Sequence, residues 1–267
     1  MTLAEALAEA RQRVPVAEAR LLLQEILGMT AAALAARPEQ PIAEDRLCDL
    51  RDWVARRAAG EPMAYLLGRR EFYGRDFMVS PAVLIPRPET ELLVDLGRDF
   101  LADRRSARIL DLGTGSGCLA ITLALETGAE VVAADISESA LAVARGNAER
   151  LGAHVDFRSS DWFAAIDGDF DLIVANPPYI ADGDPHLARG DLRFEPAQAL
   201  SSGDDGLAAL RVIVAAAGGF LRPDGQLLME HGYDQGAAVA GLLAAAGFRH
   251  IEQHCDLAGI VRASAGR

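Results

Sequence analysis

There is no lysine in this chain of 267 residues: all 26 basic side chains are arginine, set against 39 acids, for a net charge of −13. Broad binding to a phosphate backbone needs clustered basic residues, so the acidic balance argues against it. The deficit is uneven. Residues 1–80 hold 11 arginines and 12 acids, residues 81–267 hold 15 and 27. A local basic patch stays open, but an acidic body suits a protein partner better than naked nucleic acid. Cysteine is scarce too. Cys48, Cys118 and Cys255 lie far apart, with neither a disulfide framework nor metal spacing, which suits a reducing cytoplasm. His250, His254 and Cys255 cluster, but in an expected strand without further ligands, so no metal is expected. No apolar run reaches membrane-spanning length, no basic-then-apolar leader opens the sequence, and neither internal repeat nor low-complexity segment occurs. A cytoplasmic protein without a membrane role is the expectation.

What is present is 51% hydrophobic residues, enough for a substantial core, in a length that allows one large domain or two. Residues 1 to about 60 read as a small all-helical unit. Thr2 and Glu5 form a capping-box signature, and Leu3, Leu7, Ala10 and Val14 make one apolar stripe at helical spacing. Pro15 breaks that helix. Val16, Ala19, Leu23, Ile26 and Leu27 carry the next as far as Gly28, Thr30 caps a shorter one ending near Pro38, and Leu47, Leu50, Trp53 and Val54 mark a fourth, stopped by Gly60. Its Arg/Asp-rich opposite face reads as a solvated surface or a docking surface. Residues 61–88 read as the connection between two units, with a short hairpin at 70–73 and 76–79 around Gly74-Arg75. The boundary is placed so that 1–71 form the N-terminal domain and 72–267 the second, of which 72–88 are hairpin and linker.

From there strands and helices alternate, which implies an α/β fold with a doubly wound, mostly parallel sheet covered on both faces. Seven strands are expected, at 108–111, 130–134, 155–159, 172–175, 226–230, 249–255 and 260–263. Helices are expected over about 89–102, after Gly117, and over 138–151, 207–217 and 235–246. Only Asp256 to Gly259 separate the last two strands, too few for a parallel crossover. The final strand therefore runs antiparallel beside its predecessor.

Two stretches carry chemistry. Asp111-Leu112-Gly113-Thr114-Gly115-Ser116-Gly117 joins the first strand of that sheet to its helix, where glycines let a ligand approach main-chain N–H groups. Asp135 ends the next strand, 22 residues after Gly113, where a carboxylate can accept both ribose hydroxyls. A dinucleotide fingerprint would need glycine at 118, where Cys118 stands, so a nicotinamide oxidoreductase is disfavoured. Asp111 ahead of the loop suits a ligand with an ammonium group. S-adenosylmethionine fits, its adenosine beside Asp135, Asp161 and Trp162 and its methionine beside the glycine loop. The second stretch is Asn176-Pro177-Pro178-Tyr179, after the apolar run 172–175. Prolines offer carbonyls without competing donors, Asn176 adds a side-chain carbonyl and Tyr179 an aromatic face. Such acceptors suit a planar, conjugated NH2 group, either a carboxamide or the exocyclic amine of a base. A plain strand-ending turn and a non-catalytic binding protein of the same fold are the rival readings.

The sequence resembles the HemK/PrmC family of protein-(glutamine-N5) methyltransferases. The resemblance rests on Gly60-Glu61-Pro62 with Arg70-Glu71-Phe72, Leu84-Ile85-Pro86-Arg87-Pro88-Glu89-Thr90, the stretch from Ile109 to Gly117, Ser160-Asp161-Trp162-Phe163, Asn176 to Ile180, Asp184-Pro185-His186-Leu187, Arg193-Phe194-Glu195-Pro196 and Glu230-His231-Gly232. Asn-Pro-Pro-Tyr alone is shared with nucleic-acid amino-methyltransferases; the proline-arginine and Phe-Glu-Pro segments are more particular. The resemblance implies a Rossmann-like class I S-adenosylmethionine-dependent methyltransferase with S-adenosylhomocysteine as co-product. It implies an N-terminal helical domain that helps receive the substrate, and the glutamine of the Gly-Gly-Gln tripeptide in class I peptide-chain release factors as the methylated residue, affecting translation termination. No direct nucleic-acid substrate is implied. The catalytic residues would be Asn176, Pro177 and Tyr179, with Pro178 also at the substrate. The cofactor would be held by Asp111, Gly113, Thr114, Gly115, Ser116, Gly117, Asp135, Asp161, Trp162 and Asn176.

Overall fold

A computed structural model describes all residues, 1–267. The chain divides into two compact units, Met1–Arg69 and Arg70–Arg267. The first is helical: α1 (Leu3–Ala10), α2 (Val16–Leu27), α3 (Ala31–Ala36), α4 (Glu44–Ala58) and α5 (Met63–Leu67). The Thr2 hydroxyl accepts from the Glu5 N–H while the Glu5 carboxylate accepts from the Thr2 N–H, so the expected capping box is formed. Leu3, Ala6, Leu22, Leu23, Leu47, Leu50, Val54 and Leu66 are buried together as its core. Here one expectation is corrected. Residues 61–68 are not connection: Pro62 starts α5 and Gly68, at φ 70°, ends it.

In the second unit β1 (Arg69–Phe72) and β2 (Arg75–Met78) make the hairpin. Tyr73 and Gly74 both have positive φ, 52° and 71°, the two-residue turn whose twist matches the flanking strands. There follow α6 (Glu91–Leu101), β3 (Arg108–Leu112), α7 (Cys118–Thr127), β4 (Glu130–Asp135), α8 (Glu138–Leu151), β5 (Asp156–Ser159) and β6 (Phe170–Ala175). The chain closes with α9 (Ala208–Ala217), β7 (Leu221–Glu230), α10 (Gly236–Ala245), β8 (Glu252–Cys255) and β9 (Val261–Gly266). The seven strands from β3 onward form one sheet in the order β5-β4-β3-β6-β7-β9-β8. All pairs are parallel except those of β9, which runs antiparallel to both β7 and β8 and is inserted between them. The last strand is thus antiparallel and beside its predecessor, as the short connection requires. β7 begins earlier than the apolar run suggests, because Leu221 already pairs with Phe170 ahead of a register shift. β8 begins later: Arg249 and Arg267 exchange backbone bonds, but His250 at φ 47° interrupts the strand.

Alternation along β3 and β6 gives the sheet two apolar faces. Ile109, Leu172 and Val174 lie with Leu93, Leu119 and Leu123 on one; Leu110, Ile173 and Ala175 lie with Leu210, Ile213 and Leu243 on the other. Strand order reverses at β3, so the crevice between the carboxyl ends of β3 and β6 is the switch point at which open α/β sheets bind ligands. Register fixes what stands there. Leu112 is paired with Ala134 and with Ala175, Ala175 with Met229, and Asp135 with Ser159. Consequently Asp135, Gly113, Asn176 and Glu230 follow one another along a single edge.

Candidate active site

The glycine loop leaves β3 by turning under β4: the N–H groups of Gly113 and Thr114 both donate to the Ala134 carbonyl at 2.9 Å. Asp135 then fixes its crest. One carboxylate oxygen accepts from Gly115 N–H and the other from Ser137 N–H, each at 2.9 Å, and each keeps a second lone pair for a ligand. Gly117 has a different role from the one expected. It takes φ 80° at the start of α7, and a Cβ there would stand 2.8 Å from Ile121 Cδ1 and 3.1 Å from Ala144 Cβ, so its glycine serves helix packing. Neither cavity described below is lined by it. From α8, Asn147 reaches the base of the loop. Its Nδ2 donates to the Ser116 and Met78 carbonyls, and Oδ1 accepts from Met78 N–H.

Two adjoining cavities open along the edge. The larger, about 180 Å3, is lined by Gly113, Gly115, Asp135, Asp161, Trp162, Asn176 and Pro178 among others. The smaller, about 40 Å3, is lined by Asp111, Thr114, Ser116, Thr90 and again by Gly113, Gly115 and Asn176. The glycine loop and Asn176 therefore stand between them. Trp162 is held at φ 48° by Ser160, whose hydroxyl donates to the Trp162 carbonyl and accepts from Ala165 N–H. Ile136, Leu84, Pro196, Gln198 and Ala199 also line the larger cavity. The last three belong to the long connection after β6, which is tied across to residues 85–87. The buried Glu195 carboxylate accepts from Ile85 N–H at 3.0 Å and pairs with Arg87. This cradle fits S-adenosylmethionine: exposed Ile136 and Trp162 offer apolar surface for a base, Asp135 has spare lone pairs for hydroxyls, and Asp111 lies at the other end for an ammonium group. Asp111 is buried on the α7 face of β3, and burial pushes its carboxyl up to about 7 although Thr114 Oγ1 donates to it at 2.6 Å.

At the end of β6, Asn176 is partly exposed, Pro177 buried, and Pro178 and Tyr179 partly exposed. Asn176 Nδ2 donates to Thr90 Oγ1 at 2.9 Å, Thr90 donates to Glu230 at 2.6 Å, and Tyr179 Oη donates to the other Glu230 oxygen at 3.1 Å. The Tyr179 carbonyl accepts from Gln235 Nε2 at 2.9 Å, and a Cβ on Gly206 would lie 2.3 Å from it, so glycine is required there. Tyr179 is thus anchored at both its hydroxyl and its backbone. Its phenol is pushed up by burial and by the neighbouring Glu230, and Glu230 itself is raised by burial to about 7. Thr90 and Glu230 lie in segments shared with the family, but no role was expected of either. They stand 140 positions apart and meet only because β7 lies next to β6.

Comparison with known proteins agrees with this architecture. A model of the PrmC N-terminal domain matches residues 2–68, and one of the methyltransferase small domain matches residues 90–203. The chain is 52% identical to a release factor glutamine methyltransferase of Bordetella pertussis, over 95% of each chain. With a protein of the same description from Burkholderia pseudomallei it shares 51% identity, over 94% of this chain and 91% of the relative. The chain belongs to the release factor glutamine methyltransferase family. A solved ribosomal protein L11 methylase from Lactobacillus delbrueckii subsp. bulgaricus superposes with a TM-score of 0.53 at 25% identity, covering 71% of this chain and 83% of that one. The fold is that of a class I S-adenosylmethionine-dependent methyltransferase carrying this family's N-terminal helical domain. No helix is long and apolar enough to cross a membrane.

Asp135→Ala is expected to weaken S-adenosylmethionine binding about ten- to hundredfold, since charge-assisted hydrogen bonds are worth roughly 1.5–3 kcal/mol. Calorimetric titration of the folded variant checks this. Affinity equal to that of the parent protein would remove Asp135 from the site.

Proposed function

We propose that this chain transfers a methyl group from S-adenosylmethionine to the side-chain amide nitrogen (N5) of the glutamine in the Gly-Gly-Gln tripeptide of class I peptide-chain release factors. The observation that carries the reading is the state of the Asn176 amide. Its NH2 arm is bonded to Thr90, while Oδ1 accepts no hydrogen bond from the chain and Asn176 lines both cavities. The Pro177 carbonyl likewise accepts none. Two unpaired acceptors side by side, next to residues that hold a nucleoside, suit a planar NH2 group that must be held by both hydrogens. The family relatives named for release factor glutamine methylation supply the choice of a carboxamide over a base amine.

Bound S-adenosylmethionine supplies an electrophilic methyl group on a sulfonium. Asn176 Oδ1 and the Pro177 carbonyl accept the two amide hydrogens, and Tyr179 and Pro178 wall the amide plane. An amide nitrogen is a weak nucleophile because its lone pair is delocalised. Holding both N–H bonds aims that lone pair, and positioning of this kind can account for roughly 7–11 kcal/mol of a barrier. Glu230 is not the base, since it is buried behind the clamp, bonded to the Thr90 and Tyr179 hydroxyls, and lines neither cavity. The proton leaves to water once nitrogen has gained positive character. Asp111, Thr114, Ser116, Gly113 and Gly115 would hold the amino-acid end of the cofactor, and Asp135, Asp161 and Trp162 its nucleoside.

Asn176→Ala is expected to leave release-factor binding nearly intact and to cut turnover at saturating cofactor by about 10²–10³, as for loss of one preorganised hydrogen-bonding group. Labelled S-adenosylmethionine offered with release factor and RNA together reads the substrate class. Label in protein supports the reading; label in RNA selects the base amine. Near-parental turnover of the alanine variant would make the segment a turn.

The helical unit is proposed to receive the release factor. It is close to charge-neutral by internal pairing, with Arg57 bonded to Glu18, Arg69 to Glu25 and Arg51 to Glu9. A truncation beginning at Arg70, once shown to be folded by circular dichroism, is expected to bind S-adenosylmethionine normally and to methylate intact release factor poorly. Full-length rates from that truncation would remove the docking role.

A further inference from the structure

A threonine hydroxyl has one proton to give and two lone pairs. Thr90 Oγ1 lies 2.6 Å from Glu230 Oε2 and 2.9 Å from Asn176 Nδ2, and Tyr179 Oη is 3.1 Å from Glu230 Oε1. An ionised Glu230 can only accept, so both hydroxyls turn their protons toward it. Thr90 then faces Asn176 with lone pairs alone. It can hold only the NH2 arm of that amide, and Oδ1 is left on the cavity side. A Glu230 that carries a proton reverses this count. Its O–H can donate to Thr90, the Thr90 proton is released toward Asn176, and the amide can turn its oxygen inward and its NH2 outward. In that orientation Asn176 meets an incoming NH2 group donor to donor.

We infer that Thr90 and Glu230 are positioning residues that set which arm of the Asn176 amide faces the cleft, making the site an acceptor only while Glu230 is ionised. The inference rests on the glutamine-amide reading for its kinetic consequence but not for its structural one. Thr90 comes from the turn before α6 and Glu230 from the last position of β7, the strand next to β6, so two separate elements meet at the end of β6. Glu230 is fully buried and titrates among several neighbours: Glu89 beside Thr90 raises its pKa, Arg262 from β9 lowers it, and Tyr179 donates to it. Cys118 at the start of α7 feels its charge. The balance leaves it near 7, so the two Asn176 orientations exchange within the neutral range.

The chain has only two asparagines, Asn147 and Asn176. Selective [15N]asparagine labelling of the free, full-length protein therefore gives two side-chain NH2 pairs. The Asn176 pair is expected to move with pH through neutrality. The Asn147 pair, donated to the Met78 and Ser116 carbonyls, is expected to stay. Thr90→Val, which keeps shape and loses the hydroxyl, should abolish the movement, and Thr90→Ser should keep it. Asp111 also titrates near 7 beside the smaller cavity; a movement caused by Asp111 instead of Glu230 would survive in the valine variant, which separates the two. In turnover at saturating cofactor, Thr90→Val is expected to lower kcat about 10- to 100-fold, the usual scale for a group that orients a contacting one, with KM for release factor unchanged. Thr90→Ser should restore most of it, and the acid limb of kcat should vanish in Glu230→Gln. An Asn176 pair indifferent to pH in the parent, or a movement that survives Thr90→Val, overturns the inference. The parent titration needs no variant to fold. Absence of release-factor methylation by the parent protein would instead overturn the function proposed above, while the resonance titration still decides the role of Thr90 and Glu230.

Discussion

Everything at this site follows from the register of one strand. Ala175 at the end of β6 pairs with Leu112 on one side and Met229 on the other. A shift of a single residue would turn the Asn176 side chain to the opposite face and away from the glycine loop. The register is held because β6 is buried along its whole length, alternating Leu172 and Val174 against Ile173 and Ala175 on two different apolar faces. A slip would exchange those sets between cores of different shape. The prolines after Asn176 cannot donate to a ladder, so they end the strand and fix where pairing stops. The segment proposed to be catalytic is thus placed by the packing of the four strand residues that precede it.

The second constraint is electrostatic. An acidic unit brings several carboxylates to one sheet edge, and each is handled differently. Asp135 keeps backbone N–H partners on both oxygens, which fix its orientation at the crest of the glycine loop. Asp111 and Glu230 are buried, and desolvation lifts both to about 7. Each accepts from a neighbouring threonine hydroxyl, Thr114 or Thr90. Glu195 is buried as well, but Arg87 and the Ile85 N–H offset its charge and make it a strap between two cavity walls. Carboxylates therefore serve here as a ligand acceptor, as groups poised between protonation states and as a tether.

Much of this was legible in the sequence because it is written locally. The glycine loop, Asp135 and Asn-Pro-Pro-Tyr each announce a strand end by composition, and four residues between the last two strands force an antiparallel return. The helix α5 was not legible: five apolar residues between Pro62 and Gly68 show no period, so turn residues at both ends read as linker. The early part of β7 was not legible because Pro223, Asp224 and Gly225 separate it from the apolar run, although Leu221 is already paired. Thr90 and Glu230 stood in motif segments without an assigned task, because their contact depends on the strand order β6-β7 and on burial. Gly117 looked like part of the ligand loop because spacing cannot separate a glycine that admits a ligand from one that admits a helix.

The two acceptors at the end of β6 are proposed to hold a planar NH2 group, and the family relatives make that group the carboxamide of a glutamine. The most direct test is fragmentation mass spectrometry of a class I release factor after reaction with S-adenosylmethionine and the full-length chain, locating the transferred methyl group. The account predicts a single added methyl on the side-chain amide nitrogen of the glutamine in Gly-Gly-Gln, and none when that glutamine is replaced by glutamate. A methyl group found on a main-chain nitrogen, a lysine or a carboxylate of the factor would contradict it.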